Sequence, residues 1–300
     1  MKCLLCQQNK AVQFLNLGRQ PLANKYPPSK EAFKTEDFFP LTVFFCTNCK
    51  NVQLGTIVSR ERMFEDYYYL SSVNLGLVKH FEKLAKKIAK AKFVVDIGSN
   101  DGILLKPLKK LGVRAIGVDP SINVSKIAND AGLTTIVSFF NQATVEKIKK
   151  QYGRSDVVVA SSIFTHLENP HQFIETVKSL MTDDGDFIIE VEYIGNIIKD
   201  IQFERFYLDR IFYYSLTSLK HLFEKHDMYL ADVEKIEPHG GSIRVVVRKN
   251  HGKLKSTKRV AHLLTEEKKK LTLSRLEKFK NTVDKYLSAF RDKLTKYKKS

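Results

Sequence analysis

Two Cys-x-x-Cys pairs, Cys3/Cys6 and Cys46/Cys49, hold all four cysteines of the chain and are separated by 39 residues. Two thiolates two residues apart grip one cation from a tight turn. A second such pair completes a tetrahedron, the coordination Zn2+ prefers. A closed four-sulfur shell leaves no position for a substrate, so the expected role is structural, a staple for a segment with a small core of its own. Disulfides belong to oxidising compartments, and a redox pair would leave the second copy unexplained.

The second chemical signal is the run FVVDIGSNDGILL at 93–105, followed by IGVDPS at 116–121. Val94 and Val95 read as a buried strand ending in the carboxylate of Asp96. Gly98 permits a sharp turn and Gly102 a close approach of the next helix. The loop Gly98-Ser99-Asn100-Asp101-Gly102 is not G-x-G-x-x-G. A pyrophosphate wants glycines and bare amides at a helix N-terminus. Carboxylates at Asp96 and Asp101 instead suit a ligand with an ammonium and a sulfonium and no phosphate. Asp119, 17 residues after Gly102 and just before Pro120, ends the next strand, where it can accept hydrogen bonds from both ribose hydroxyls. Ser161 and Ser162 end a later strand and are expected to flank the adenine or the methionine part, with His166 bordering the same place. The expected ligand is S-adenosylmethionine. Methyl transfer from its sulfonium is an in-line displacement that needs alignment and a nucleophile, and no metal.

Positioning these groups requires an α/β frame. Short β-rich runs at 93–97, 115–118, 157–160, 187–191 and 242–247 alternate with helical patterns, which predicts a mostly parallel sheet covered on both faces. The expected fold is a Rossmann-like class I sheet with a small N-terminal zinc-binding domain and a helical C-terminal extension. The boundaries read as 1–85, 86–250 and 251–300. Within the last segment Leu276, Phe279, Val283, Tyr286, Phe290, Leu294 and Tyr297 step by three or four, one apolar stripe that must be buried on this chain or on a partner. The oligomeric state stays open. That segment also carries +11 of the net charge of +17. A solvated helix face explains this, and no aromatic–basic interleaving supports a nucleic-acid partner. No apolar run is long enough to cross a bilayer, and the start turns polar after Cys6, so the expected location is cytoplasmic.

Over nearly all of 1–250 the chain resembles the zinc-containing sugar C-methyltransferases that act on nucleotide-linked keto-deoxysugars. The matching stretches run in order: Cys3/Cys6, FLNLGRQPLAN from Phe14 to Asn24, FPL from Phe39, Cys46-Thr-Asn-Cys49, VQL from Val52, FEDYYYLSS from Phe64 to Ser72, DIGSNDG, GVDPS, Glu190-Val-Glu-Tyr193 and PHGGSIR from Pro238 to Arg244. The resemblance implies a three-part protein. A zinc-bearing domain closes over the sugar, a central domain binds S-adenosylmethionine, and a C-terminal α/β domain helps hold the nucleotide sugar. It also implies a reaction in which a base, usually a histidine, takes a proton from the carbon beside a ketone and the enolate takes the methyl group.

Two departures qualify that expectation. Where the family reads roughly Tyr-His-Glu-His, this chain has Tyr207-Leu208-Asp209-Arg210. Tyr207 is kept and Asp209 can replace Glu, but Arg210 stands where the base should be. A guanidinium is a poor base and a good phosphate or carboxylate anchor. The family's chains also continue past the position of Ser300. The candidate reactive residues are therefore Tyr67, Tyr69, Tyr207, Asp209, Arg210 and His239. The tyrosines could equally be packing groups, and His239 a replacement acid or base. His80 and His221 sit in helical patterns and read as packing. Three functions follow: carbon methylation of a nucleotide-linked sugar, oxygen or nitrogen methylation of a sugar-type substrate, and a weakly active binding partner.

Overall fold

The computed structural model describes residues 1–23, 27, 29–59, 70–252 and 255–299. The described strands are β1 (Ala11–Gln20), β2 (Phe39–Cys46), β3 (Val52–Leu54), β4 (Phe93–Ile97), β5 (Arg114–Asp119), β6 (Thr135–Val137), β7 (Ser155–Ser161), β8 (Met181–Glu192), β9 (Phe212–Tyr213), β10 (Met228–Ile236) and β11 (Ser242–Lys249). They fall into two sheets and two units. One unit gathers Met1–Met63, Tyr193–Leu219 and His262–Ser300, the other Phe64–Glu192 and Lys220–Ala261.

The larger unit holds a seven-stranded sheet in the order β10-β11-β8-β7-β4-β5-β6. Strands β6, β5, β4, β7 and β8 pair in parallel, and β11 runs antiparallel to both its neighbours. All five residues of β4 are buried, as a central parallel strand covered on both faces requires. On one face Phe81, Leu84, Leu104 and Leu108 pack over Val94, Val159 and Ile188. Elsewhere Phe164, Phe173, Phe187 and Phe223 form a mutually packed aromatic cluster, with Phe164 and Phe223 stacked at 5.9 Å. Asparagines cap three helices: Asn74 before Leu75–Lys87, Asn141 before Gln142–Tyr152 and Asn169 before Pro170–Leu180. The chain winds from β4 to β6 in one direction and returns to β7 beside β4. The C-terminal ends of β4 and β7 therefore bound the switch-point crevice where α/β sheets bind ligands.

The smaller unit is a four-stranded antiparallel sheet, β1-β2-β3-β9. Its pairing breaks register twice along β1, between Gln13 and Leu15 and between Asn16 and Arg19. Its core joins Phe14, Leu15, Val43, Phe45 and Leu54 to Phe206, Tyr213, Leu276, Phe279 and Val283. The first half of the C-terminal stripe is thus buried in its own unit. Tyr286, Phe290, Leu294 and Tyr297, further along the helix Leu273–Lys299, are exposed.

Glu267 of the helix Lys258–Lys270 supplies a remote cap. Its carboxylate is 1% exposed and accepts from the Leu216 and Thr217 N–H groups, at 2.6 and 2.7 Å, and from the Thr217 hydroxyl. It thereby satisfies donors that a helix start leaves open. Glu267→Ala strands those donors and should lower stability by about 2–4 kcal/mol in chemical denaturation. Glu267→Gln, which keeps one acceptor oxygen, should lose less.

Candidate active site and metal centre

In the smaller unit the two Cys-x-x-Cys turns are built alike. The Gln7 N–H donates to the Cys3 carbonyl and the Lys50 N–H to the Cys46 carbonyl, both at 2.9 Å. The residue after each second cysteine, Gln7 and Lys50, takes a left-handed conformation at φ 63° and 60°. The four Sγ atoms lie within 4.8 Å of one another and all four residues are buried. Cys3 Sγ is 3.7 Å from Cys49 Sγ, and Cys6 Sγ 3.6 Å from Cys46 Sγ. Buried Asn51 and Gln53 back the cluster, Asn51 Nδ2 lying 4.0 Å from Cys3 Sγ. Crowding drives the thiols apart in acidity. The hydrogen bond with Cys49 brings Cys3 down to about 5, burial lifts Cys46 to about 11, and the same Cys3 bond, with burial, pushes Cys49 up. Four sulfurs at this spacing fit a tetrahedral Zn2+, which would hold all four as thiolates.

In the larger unit the loop after β4 is folded around Asp119. Its carboxylate accepts from the Asn100 N–H and from the Ser121 N–H, each at 2.9 Å. The turn at Gly98 has φ +74°, and a Cβ there would stand 2.5 Å from Ile163 Cγ2. Gly102 has φ +80°, with a Cβ 2.3 Å from Leu133 Cδ1. Neither place admits a side chain. The loop is clamped from the other side by the chain leading into Leu75–Lys87. The Ser71 N–H donates to Asn100 Oδ1 at 3.0 Å, and the Ser72 N–H and hydroxyl donate to Asp101 Oδ2.

The remaining polar atoms of this loop suit a cationic ligand. Asp101 Oδ1 and Ser99 Oγ are buried without hydrogen-bond partners among the described residues. Asp96 is 4% exposed, and burial, with the neighbouring charges of Asp119 and Glu190, holds its carboxyl well above the ordinary range. Burial raises Asp119 as well, against the hydrogen bonds from Ser121 and Asn100. A positive group placed here would relieve both. Pro120 is exposed beside Asp119. Ser161 ends β7, Ser162 follows at φ 60°, and His166 lies on the turn Phe164–His166 beyond them. His239 sits at φ 57° in the turn Pro238–Gly240 before β11.

Tyr207, Asp209 and Arg210 belong to the other unit, the one that carries the cysteines. Arg210 is 7% exposed, with its guanidinium 4.4 Å from the centre of the Tyr207 ring, a cation–π contact. The Tyr207 N–H donates to the Tyr213 hydroxyl. Tyr207 lines a cavity of about 630 Å3 within this unit, together with Asn16, Gln20, Phe206, Glu204 and Arg291. Tyr67 and Tyr69 lie outside the described residues.

The sequence reading missed a second polar cluster at the C-terminal edge of the large sheet. Glu190 of β8 accepts from Arg244 Nε at 2.7 Å, from Ser161 Oγ at 2.7 Å and from His80 Nε2 at 2.9 Å. Glu190 and Arg244 fall in stretches that carry the family resemblance, but the helical pattern around His80 offered no hint of its partner. Burial would raise Glu190, yet the His80 hydrogen bond and the Arg244 charge hold it below the ordinary carboxylate range. With the folded value depressed, this cluster stabilises fully above the unfolded value near 4.3 and loses that contribution as pH falls through the folded one. Arg244→Met, leaving Glu190 buried without its cation, should cost about 3–5 kcal/mol at pH 7. The gap in melting temperature from the wild type should narrow below about pH 4.

Compared with family models, residues 63–232 match a methyltransferase domain, residues 3–64 a zinc binding domain and residues 237–300 a C-methyltransferase C-terminal domain. The chain belongs to the S-adenosylmethionine-dependent methyltransferases, in the branch that joins a zinc-binding domain to a C-methyltransferase C-terminal domain. The C-methyltransferase NovU of Streptomyces niveus is 30% identical over 273 residues, covering 89% of this chain and 65% of NovU. The mitochondrial ubiquinone biosynthesis O-methyltransferase of Arabidopsis thaliana is 26% identical over 126 residues, 40% of this chain and 39% of that protein. The chain thus spans less than two thirds of the length of either relative. Among solved structures, the magnesium protoporphyrin IX methyltransferase of Synechocystis PCC 6803 with bound SAM superposes with a TM-score of 0.44 at 15% identity, covering 63% of this chain and 89% of that one. Among the described residues no helix is long and apolar enough to cross a membrane.

Proposed function

We propose that this chain transfers the methyl group of S-adenosylmethionine to a nucleotide-linked sugar, at a carbon beside a ketone. The observation that carries the reading is the acid-lined loop at 96–101. Its carboxylate oxygen at Asp101, buried and without a partner among the described residues, and its raised Asp96 suit an ammonium and a sulfonium. In this reading Asp119 holds the ribose hydroxyls, Asp96 and Asp101 face the cationic part, and Ser161, Ser162 and His166 border the rest of the donor. When bound, the donor supplies an electrophilic methyl group in line with the acceptor atom.

The match to a C-methyltransferase C-terminal domain and the similarity to NovU favour carbon as the acceptor. The zinc-stapled part would be the unit that holds Met1–Met63, and the donor domain the unit that holds Phe64–Glu192 and Lys220–Ala261. Tyr67, Tyr69, Tyr207, Asp209 and His239 are proposed to contact the sugar, with Arg210 holding the Tyr207 ring. The four cysteines suit a reducing compartment such as the cytoplasm.

Arg210 favours a second reading, methylation of an oxygen or nitrogen. A hydroxyl or amine gives up its proton more readily than carbon and needs no histidine at that position. The two readings separate in deuterated water. The protein is incubated with thymidine and uridine diphosphate 4-keto-6-deoxyhexoses, without donor and then with it. Carbon methylation predicts deuterium exchange at the carbon beside the ketone when the donor is absent, and a product methylated at that carbon when it is present. Methyl transfer to a hydroxyl without such exchange would refute it.

A further inference from the structure

Residues Ser71 to His80 touch two things at once. Ser71 and Ser72 bind the side chains of Asn100 and Asp101 in the donor loop. In the second turn of the helix that follows, His80 reaches Glu190 near the end of β8. Glu190 in turn bonds Ser161, which ends β7. The imidazole is thus tied to the same sheet edge that carries the donor loop.

The geometry around the ring is asymmetric. Nε2 faces Glu190 at 2.9 Å from both carboxylate oxygens and Arg244 Nη2 at 3.2 Å. Nδ1 has no hydrogen-bond partner among the described residues, and the side chain is 12% exposed. A carboxylate facing Nε2 places the proton there and leaves the Nδ1 lone pair free. This is the arrangement by which a carboxylate orients a histidine base. The other charges at this place are set outside the pair. Arg244 also bonds Glu234 of β10, and Glu234 bonds Lys87 on His80's own helix.

We propose that His80, oriented by Glu190, is the general base of the reaction. The inference rests on the carbon-methylation reading above. His80 Nδ1 takes the proton from the carbon beside the substrate ketone. The C–H electron pair becomes the enolate double bond, and the carbonyl oxygen takes the negative charge. The enolate carbon then attacks the methyl carbon of the sulfonium, whose C–S electrons stay on sulfur as a neutral thioether. The imidazolium releases its proton to water. Arg210, stacked on a ring in the other unit, is not required to accept a proton.

The test measures solvent deuterium exchange at the carbon beside the ketone, with the full chain, the same diphosphate 4-keto-6-deoxyhexoses and S-adenosylhomocysteine, which has no methyl group to transfer, in the donor site. His80→Gln keeps an N–H for Glu190. It should bind the donor within about threefold of the wild type by calorimetry, yet lose exchange by about 100-fold or more. Glu190→Gln should slow exchange as well, while Glu190→Asp, which keeps a carboxylate to orient the ring, should restore part of the rate. Exchange that survives His80→Gln in the folded, S-adenosylhomocysteine-bound protein overturns the assignment while leaving carbon methylation intact. If His80→Gln does not fold, Glu190→Gln decides, and exchange at the wild-type rate in that variant overturns the proposal. No exchange in the wild type with any of these sugars defeats the carbon-methylation reading, and the base falls with it.

Discussion

Stripping the metal from the cysteine cluster with a strong chelator should lower the melting temperature of the smaller unit by about 10–20 °C. That corresponds to about 5 kcal/mol for a protein of this size. The binding energy of a structural zinc is folding energy, and in isolated zinc peptides it reaches about 10–16 kcal/mol. Here the effect is smaller because the unit has a second source of stability, the core that Phe14, Phe45, Phe206 and Phe279 build away from the sulfurs. Cys49→Ser should do nearly as much damage as chelation. Cys49 is buried and faces Cys3, and its loss leaves three thiolates around a weakened ion. Thermal melts paired with metal analysis check this. A metal-free protein that melts with the wild type would show the four thiols to be mere core residues.

Asp96→Asn should move stability and donor binding in opposite directions. The Asp96 carboxyl is held well above its ordinary range, chiefly by burial and then by the charges of Asp119 and Glu190. A carboxyl whose folded value is raised penalises the folded state once pH exceeds the unfolded value near 3.9. A neutral amide removes that penalty, so the free variant should melt higher than the wild type at pH 7. The same change deletes the charge that would face the donor's cationic part. Affinity for S-adenosylmethionine should fall about 10- to 100-fold, the cost of losing a charge-assisted contact of about 1.5–3 kcal/mol. Calorimetry and thermal melts on one sample settle both signs. A variant that is less stable and binds equally well would show Asp96 to be a scaffold residue. This trade is what a site built for a ligand rather than for the fold should display.

The parallel sheet was legible because burial on both faces writes a strand as an unbroken apolar run. FVVDI, VVVA and FIIEV cannot hide. The strands that escaped are half-exposed or short. β1 places polar residues at Gln13, Asn16 and Arg19 and breaks register twice, so no clean alternation survives. β6 is three residues long, and β10 mixes Asp232, Glu234 and Lys235 into its pattern. The stripe on the terminal helix was also legible, but periodicity names a face without saying how far its partner extends. Val283 is buried and Phe290 is not. The donor loop and the cysteines were readable because their chemistry is local, within a few residues of chain. The His80 cluster was not, since its partners lie 110 and 164 positions away and a helix wheel sees neither.

The smaller unit also has a history that its finished shape conceals. Its third strand, Val52–Leu54, pairs with Phe212 and Tyr213, and its core closes only with Leu276 and Phe279. During synthesis at about 5–20 residues per second, the amino-terminal hairpin and its sulfur cage must wait roughly ten seconds or more for these pieces. Meanwhile the intervening seven-stranded sheet emerges complete in all but its last strands. A captured metal ion joins the pairing of β1, β2 and β3 in holding the early segment in register through that interval. Zinc supply while the ribosome is still translating should therefore govern the yield of folded protein more than zinc added afterwards.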